Sequence, residues 1–247
     1  MREGRDRVET ARVAAESVAW ARDLVNTAPN VLYPQSFVDR VRERIAADDA
    51  PVELRVIDEK ELEELGCGGI IGVGRGSARP PRIAVLSYRP RRSTGHVALV
   101  GKGITFDTGG ICIKPSADMW QMKSDMGGAA AVAGAVLAAA RTGLPVAVTG
   151  YLCLAENMPD GNAQRPGDIV TMRDGMTVEV LDTDAEGRMV LADGICLAAE
   201  ENPDAIIDIA TLTGACMVAL GSRTTGVMGA APVTSDILEA AGRSEES

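Results

Sequence analysis

Residues 124–154, SDMGGAAAVAGAVLAAARTGLPVAVTGYLCL, decide how this chain folds. From Met126 to Ala140 the run is wholly apolar, yet it is too short and too rich in glycine and alanine to span a bilayer, and Asp125 and Arg141 frame it. It predicts a tightly packed, buried helix over 124–140. Residues 146–154 follow as an apolar strand, and 96–100 upstream read as another. Strand, buried helix and strand in succession form a crossover unit.

The rest of the chain repeats that order. Apolar residues recur at helical spacing over 8–25 until Asn26-Thr27-Ala28-Pro29-Asn30 breaks the pattern, and a second helix is predicted over 34–47. Strand 52–57, a short helix over 59–65, a glycine-rich connector over 66–76 and strand 83–88 come next. Helix 188–200 and strand 205–209 close the sequence of elements. The expectation is an α/β fold: a largely parallel or mixed central sheet flanked by helices on both faces. In such sheets ligands bind beyond the carboxyl ends of the strands. No repeat or low-complexity segment stands out, and the tail 243–247 is polar.

A chain of 247 residues, 46% hydrophobic and 24% charged, can bury a substantial core as one large domain, with room for a small appended lobe. Its net charge of -10 excludes a general nucleic-acid or anionic-membrane surface, which needs clustered Lys and Arg. The start Met1-Arg2-Glu3-Gly4-Arg5-Asp6-Arg7 lacks the apolar core of a signal peptide, so a cytoplasmic location is expected. Five cysteines, widely spaced and without CxxC, read as free, buried thiols.

Three polar clusters fall at the predicted sheet end. The first, Gly101-Lys102-Gly103-Ile104-Thr105-Phe106-Asp107-Thr108-Gly109-Gly110-Ile111-Cys112-Ile113-Lys114, reads as a strand end running into a glycine-rich loop. Lys102 directly follows the apolar strand and should point into the crevice; Asp107 and Lys114 taken alone read as turn and surface residues. In the second, Met122-Lys123-Ser124-Asp125-Met126-Gly127-Gly128, Asp125 opens the buried helix, where it can serve as a cap. Gly127 and Gly128 weaken a helix start, and close approach of another loop would explain both. The third, Leu181-Asp182-Thr183-Asp184-Ala185-Glu186-Gly187-Arg188, reads either as a solvated turn before a helix or as a cation site.

In an extended segment Asp184, Glu186 and Arg188 share one side. Asp107, Asp125, Asp184 and Glu186 can then meet at one sheet end, and two divalent cations would balance them. The one histidine, His96, and the lack of HExxH exclude a conventional histidine zinc site, so oxygen ligands for Mn, Zn or Mg are expected. Lys102 could join only as the neutral amine, favoured by burial and neighbouring cations.

Together these clusters resemble the M17 leucyl aminopeptidases, whose Asn-Thr-Asp-Ala-Glu-Gly-Arg-Leu signature is matched by Asp182-Thr183-Asp184-Ala185-Glu186-Gly187-Arg188-Met189. Supporting matches are 101–114, 124–131, Ala155-Glu156-Asn157-Met158-Pro159, Gln164-Arg165-Pro166-Gly167-Asp168 and Thr211-Leu212-Thr213-Gly214-Ala215. The resemblance implies a two-metal aminopeptidase releasing the N-terminal residue of peptides, with a leucine-type preference. It implies metal ligands Lys102, Asp107, Asp125, Asp184 and Glu186, catalytic Lys114 and Arg188, and a bicarbonate ion at Arg188. It places Met122, Asp182, Thr211, Leu212 and Gly214 at the substrate. Asp182 departs from the family's asparagine. Against the family, residues 1–247 read as a single, partial catalytic domain, without the N-terminal domain and the last part of the catalytic domain. Peptide substrates and a homo-oligomer, hexameric in relatives, are the implied partners, with no nucleic acid and no membrane. The other reading left open is an impaired metal-binding remnant that acts as a structural or interaction subunit.

Overall fold

The computed structural model describes residues 2–244. Met1 and the last three residues of the polar tail predicted over 243–247 lie outside them. Residues up to Thr211 form one unit and those from Leu212 a second.

In the first unit the chain runs through α1 (Arg2–Asn26), α2 (Pro34–Asp48), β1 (Val52–Ile57), α3 (Glu59–Glu64), α4 (Gly68–Gly74), β2 (Arg82–Tyr88) and β3 (His96–Asp107). A short 3-10 helix, Met119–Ser124, precedes α5 (Gly127–Thr142), and β4 (Ala147–Asn157), β5 (Ile169–Thr171), β6 (Thr177–Glu179), α6 (Glu186–Glu200) and β7 (Ala205–Ile209) follow. Five strands make one sheet in the order β1-β2-β4-β3-β7. β3 pairs in parallel with β4 and β7, while β2 runs antiparallel to both β1 and β4. The sheet is mixed, in line with the expected fold class.

The two faces of the sheet build two cores because side chains alternate along a strand. On β2, Ala84 and Leu86 face one core with Leu152 and Leu154 of β4; Phe37 and Val41 of α2 and Val132, Val136 and Leu137 of α5 cover them. Ile83 and Val85 face the other with Tyr151 and Cys153, under Leu62, Ile70 and Val190 from α3, α4 and α6. All eleven residues of β4 are buried, as befits a central strand, its polar Thr149, Glu156 and Asn157 included. Each buried Val or Leu contributes roughly 1.5–3 kcal/mol.

Several boundaries differ from the sequence reading for identifiable reasons. The strand predicted over 96–100 continues to Asp107, because Gly101 and Gly103 lie on β3 where α5 and β4 approach and support pairing rather than a loop. The glycine-rich connector 66–76 contains α4: a Cβ on Gly69 would come within 2.5 Å of Met189 O on α6, so the glycine permits helix contact instead of marking a turn. The small β5–β6 hairpin has no apolar alternation long enough to announce it. Of the paired glycines in α5, Gly128 is explained, by a strand rather than a loop: its Cβ would lie 1.9 Å from Ile209 O at the end of β7. Gly127 meets only ordinary contacts.

All five cysteines are free; Cys67 and Cys153 are buried, but Cys112, Cys196 and Cys216 are half-buried, short of the burial expected for the set. No helix among the described residues is long and apolar enough to cross a membrane. The second unit carries two helices, α7 (Ala215–Leu220) and α8 (Ala231–Arg243), the latter with proline in its first turn.

The Gly128 contact can be tested directly. Gly128→Ala is expected to lower unfolding free energy by at least about 1–3 kcal/mol, the usual range for overpacking, in urea denaturation followed by circular dichroism. An unchanged midpoint would contradict the close approach of α5 to β7.

Candidate metal centre

The carboxyl ends of β3 and β4 carry the polar residues of interest. Lys102 and Asp107 are five positions apart on β3, which strict alternation would send to opposite faces. The register of β3 against β4 shifts between Ile104 and Phe106, and this irregularity returns Asp107 to the side of Lys102. Both are 2% exposed.

Asp125 follows the 3-10 helix as its C-terminal cap, and α5 begins two residues later with Met126 as N-cap. The cap role expected for Asp125 at the start of the buried helix is therefore not the one found. Its Oδ1 instead accepts from Lys102 Nζ at 2.9 Å and from Thr211 Oγ1 at 2.7 Å. Glu186 is the first residue of α6 and 1% exposed. Its Oε1 lies 2.8 Å from Lys102 Nζ, which also donates to Thr211 O at 3.1 Å. Lys114, partly exposed, bridges Asp107 Oδ2 at 3.0 Å and Asp184 Oδ1 at 2.5 Å.

One carboxylate oxygen each from Asp107, Asp125 and Glu186 lie within 4.8 Å of one another. Asp184 joins this triad through Lys114. The five residues Lys102, Asp107, Asp125, Asp184 and Glu186 are thus neighbours, with Lys114 beside them. The extended geometry expected of 184–188 is replaced by a turn into a helix. Residues two apart on a helix point to different sides, which is why Glu186 is buried and Arg188 exposed.

Burial dominates the electrostatics. It pushes the Glu186 carboxyl up to about 7, against the pull of Lys102, and Asp107 adds to the rise. It pushes Asp125 up to about 6, again opposed by Lys102. Asp184 is raised by burial with Lys114 opposing. For Lys102 burial alone would lower the amine, but Asp125 and Glu186 outweigh it and hold the amine above its ordinary value. The same balance, with Asp184 and Asp107 as partners, raises Lys114. Facing these carboxylates with no cation beside it, Lys102 is held protonated; the neutral amine is the form in which it could join a bound ion.

Glu186 Oε2 is buried with no hydrogen-bond partner, and so is Asp125 Oδ2, which sits 2.8 Å from Lys102 Nζ but outside the hydrogen-bond geometry its other oxygen satisfies. Leaving buried carboxylate oxygens unsatisfied is costly. A divalent cation fits such donors: they are hard, anionic and converge on one point.

The remaining sequence candidates distribute unevenly. Asp182 is exposed, and its Oδ1 accepts from Asp184 N at 2.9 Å, a turn contact that an asparagine Oδ1 makes equally well. Met122 is half-buried in the 3-10 helix, and Thr211 touches Asp125 as above. Arg188 makes no hydrogen bond or ion pair among the described residues. Leu212 and Gly214 belong to the second unit, where Gly214 precedes α7.

Two residues escaped the sequence reading as individuals. Asn157 (2% exposed) and Thr183 (1% exposed) hydrogen-bond across the site: Asn157 Nδ2 donates to Asp107 Oδ1 at 2.8 Å and to Thr183 O at 3.0 Å. An asparagine three residues beyond the predicted strand 146–154, at a sheet's carboxyl end, was the available clue.

The profile of the cytosol aminopeptidase family, catalytic domain, matches residues 19–247. A probable cytosol aminopeptidase of Clavibacter michiganensis is 57% identical over 240 residues, covering 97% of this chain and 47% of the relative. One from Leifsonia xyli is 56% identical over 244 residues, 99% of this chain and 49% of that one. The chain spans about half the length of these curated relatives. Among solved structures, leucyl aminopeptidase of Trypanosoma brucei in complex with actinonin superposes with a TM-score of 0.92 at 40% identity, covering 96% of this chain and 47% of that one. The bottromycin maturation enzyme BotP in complex with Mn gives 0.88 at 47% identity, over 95% and 52%.

The ion-pair arrangement predicts a stability effect without any metal. Lys102→Met leaves buried carboxylates uncompensated and is expected to cost about 3–5 kcal/mol in chelator, read by denaturant unfolding. Wild-type stability in that variant would show that Lys102 does not hold the acidic cluster together.

Proposed function

The chain belongs to the cytosol aminopeptidase family, and on that premise we propose that it carries the two-metal centre of an aminopeptidase that removes N-terminal residues, leucine-type ones by preference, from peptides. The observation that carries this reading is the buried triad Asp107, Asp125 and Glu186, with Glu186 Oε2 unpartnered. Lys102, Asp107, Asp125, Asp184 and Glu186 would hold the ions, Mn or Zn, with Mg the third candidate. BotP, named in complex with Mn, makes manganese the first ion to try. Paired divalent ions, when bound, activate water and polarise a carbonyl.

The protein's own groups would supply the rest. Lys114 keeps its ammonium at the edge of the cluster, partly exposed, where it can donate a hydrogen bond to an oxygen gaining negative charge. Asp125 lies at the triad with Oδ2 paired to Lys102 but making no hydrogen bond, suited to receive the free amine of a peptide. That contact would restrict cleavage to chain ends. Arg188, exposed and without a partner among the described residues, is suited to hold a bicarbonate ion as proton carrier. Met122, Asp182, Thr211, Leu212 and Gly214 are the candidates for contact with the substrate. Asp182 meets its turn requirement as asparagine would, so its effect falls on charge near Asp184. A cytoplasmic location and a homo-oligomer of family type complete the proposal.

Hydrolysis of leucine p-nitroanilide with Mn tests it. Activity is expected to vanish in chelator, return with Mn, and fall by roughly 100-fold or more in Lys114→Ala, the usual cost of removing one donor to a developing oxyanion. Activity indifferent to chelator and to this substitution would overturn the mechanism. Stoichiometric Mn binding without turnover, in the chain alone and with full-length partner subunits, would favour a metal-binding remnant instead.

A further inference from the structure

Asp107 leaves the sheet at the end of β3, while Asp184 sits in the turn before α6. No backbone ladder joins these segments, since β3 pairs only with β4 and β7. Apart from the Lys114 ion pairs, the side chain of Asn157 links them. Asn157 stands opposite Asp107 in the last pair of the β3–β4 register, and its Nδ2 donates to both Asp107 Oδ1 and Thr183 O. Its backbone carbonyl also accepts from Thr108 N at 3.0 Å and Thr108 Oγ1 at 2.8 Å. Thr183 completes the tie: its Oγ1 donates to Gly109 O at 2.6 Å and accepts from Cys112 N at 2.8 Å.

We propose that Asn157 is a positioning residue whose amide fixes the rotation of Asp107 and couples it to the Thr183–Asp184 segment, so that both carboxylates are presented to a divalent cation. The inference rests on the metal-centre reading above. A carboxylate's terminal torsion is broad and needs external donors to set it. Asp107 Oδ1 receives two, Asn157 Nδ2 and Gly109 N at 2.9 Å, which leaves Oδ2 as the oxygen facing Lys114. With an acceptor on each of two segments, both hydrogens of the Asn157 amide are used, and this fixes which end of the amide is nitrogen. An aspartate there has the same shape, but it offers no donor and sets a second negative charge against Asp107. A serine offers a single donor.

Positioning and mere structural support differ in what they move. A contact equally strong with and without the ion stabilises the fold but leaves ion affinity unchanged. Outer contacts that orient a ligand change affinity 10–100-fold.

The test is calorimetric Mn titration of the full chain as wild type, Asn157→Asp and Asn157→Ser, with Co absorption spectra of each and melting curves in chelator to confirm folding. Both variants are expected to bind Mn roughly 10–100-fold more weakly and to shift the Co spectrum while still melting cooperatively. Folded variants with wild-type affinity and an unchanged Co spectrum would overturn the proposal alone. Should Asn157→Asp not fold, Asn157→Ser decides by the same two readouts, and failure of both to fold would overturn positioning in favour of a purely structural role. A wild-type chain that binds no Mn would overturn the metal-centre reading and this inference together.

Discussion

The ammonium of Lys102, buried between Asp125 and Glu186, is the interaction on which the rest of the arrangement depends. Two carboxylates cannot be taken out of water side by side without a compensating positive charge, and breaking such a buried pair is far costlier than never forming it. Lys102 sits on a central strand and can supply that charge at a fixed place. Lys114 does the same for Asp107 and Asp184 from the outer side. Two lysines thus face four carboxylates, and the negative excess that remains is what a cation site requires.

Holding these groups together falls to the sheet and to α5. The central strands β3 and β4 are almost wholly buried, so their carboxyl ends are set by packing on both faces. The register shift before Phe106 turns Asp107 to the face of Lys102, and Gly128 lets α5 and the segment before it approach β7 and Lys102 closely enough for Asp125 to reach the lysine. On the face of the sheet that α6 covers, Asp193, fully buried, accepts from Ile70 N at 2.9 Å and Arg173 N at 3.0 Å. That anchors the helix whose first residue is Glu186.

Much of this was legible in the sequence where composition alone fixes the outcome. The run 126–140, too short and too rich in glycine and alanine for a membrane span, reads as a buried helix, and the alternation of elements around it leads to an α/β sheet. The acidic and lysine residues were found because charge is conspicuous at a predicted sheet end. Geometry that depends on tertiary contact was not legible. Glycines on β3 and α4 looked like loop punctuation because their purpose, close approach of a neighbouring element, is invisible locally. The helical start at Glu186 displaced the extended reading of 184–188, and so separated Arg188 from Glu186. Asn157 carried no charge to draw notice, and its importance lies in two acceptors brought to it from distant segments. The charge state of Lys102 without a cation was not legible either: facing carboxylates, brought to it from α6 and from the segment before α5, outweigh the burial that would strip its proton.

The family supplies an activity for which these residues are suited, and the claim at its centre is that the acidic cluster is a site for divalent ions. The most direct measurement is an anomalous difference map from crystals of the chain grown with Mn. The account predicts two peaks beside Asp107, Asp125, Asp184 and Glu186, roughly 3.5–4 Å apart as in paired-metal hydrolytic centres. A map with no peak among these carboxylates, or with Mn bound only elsewhere on the chain, would contradict it.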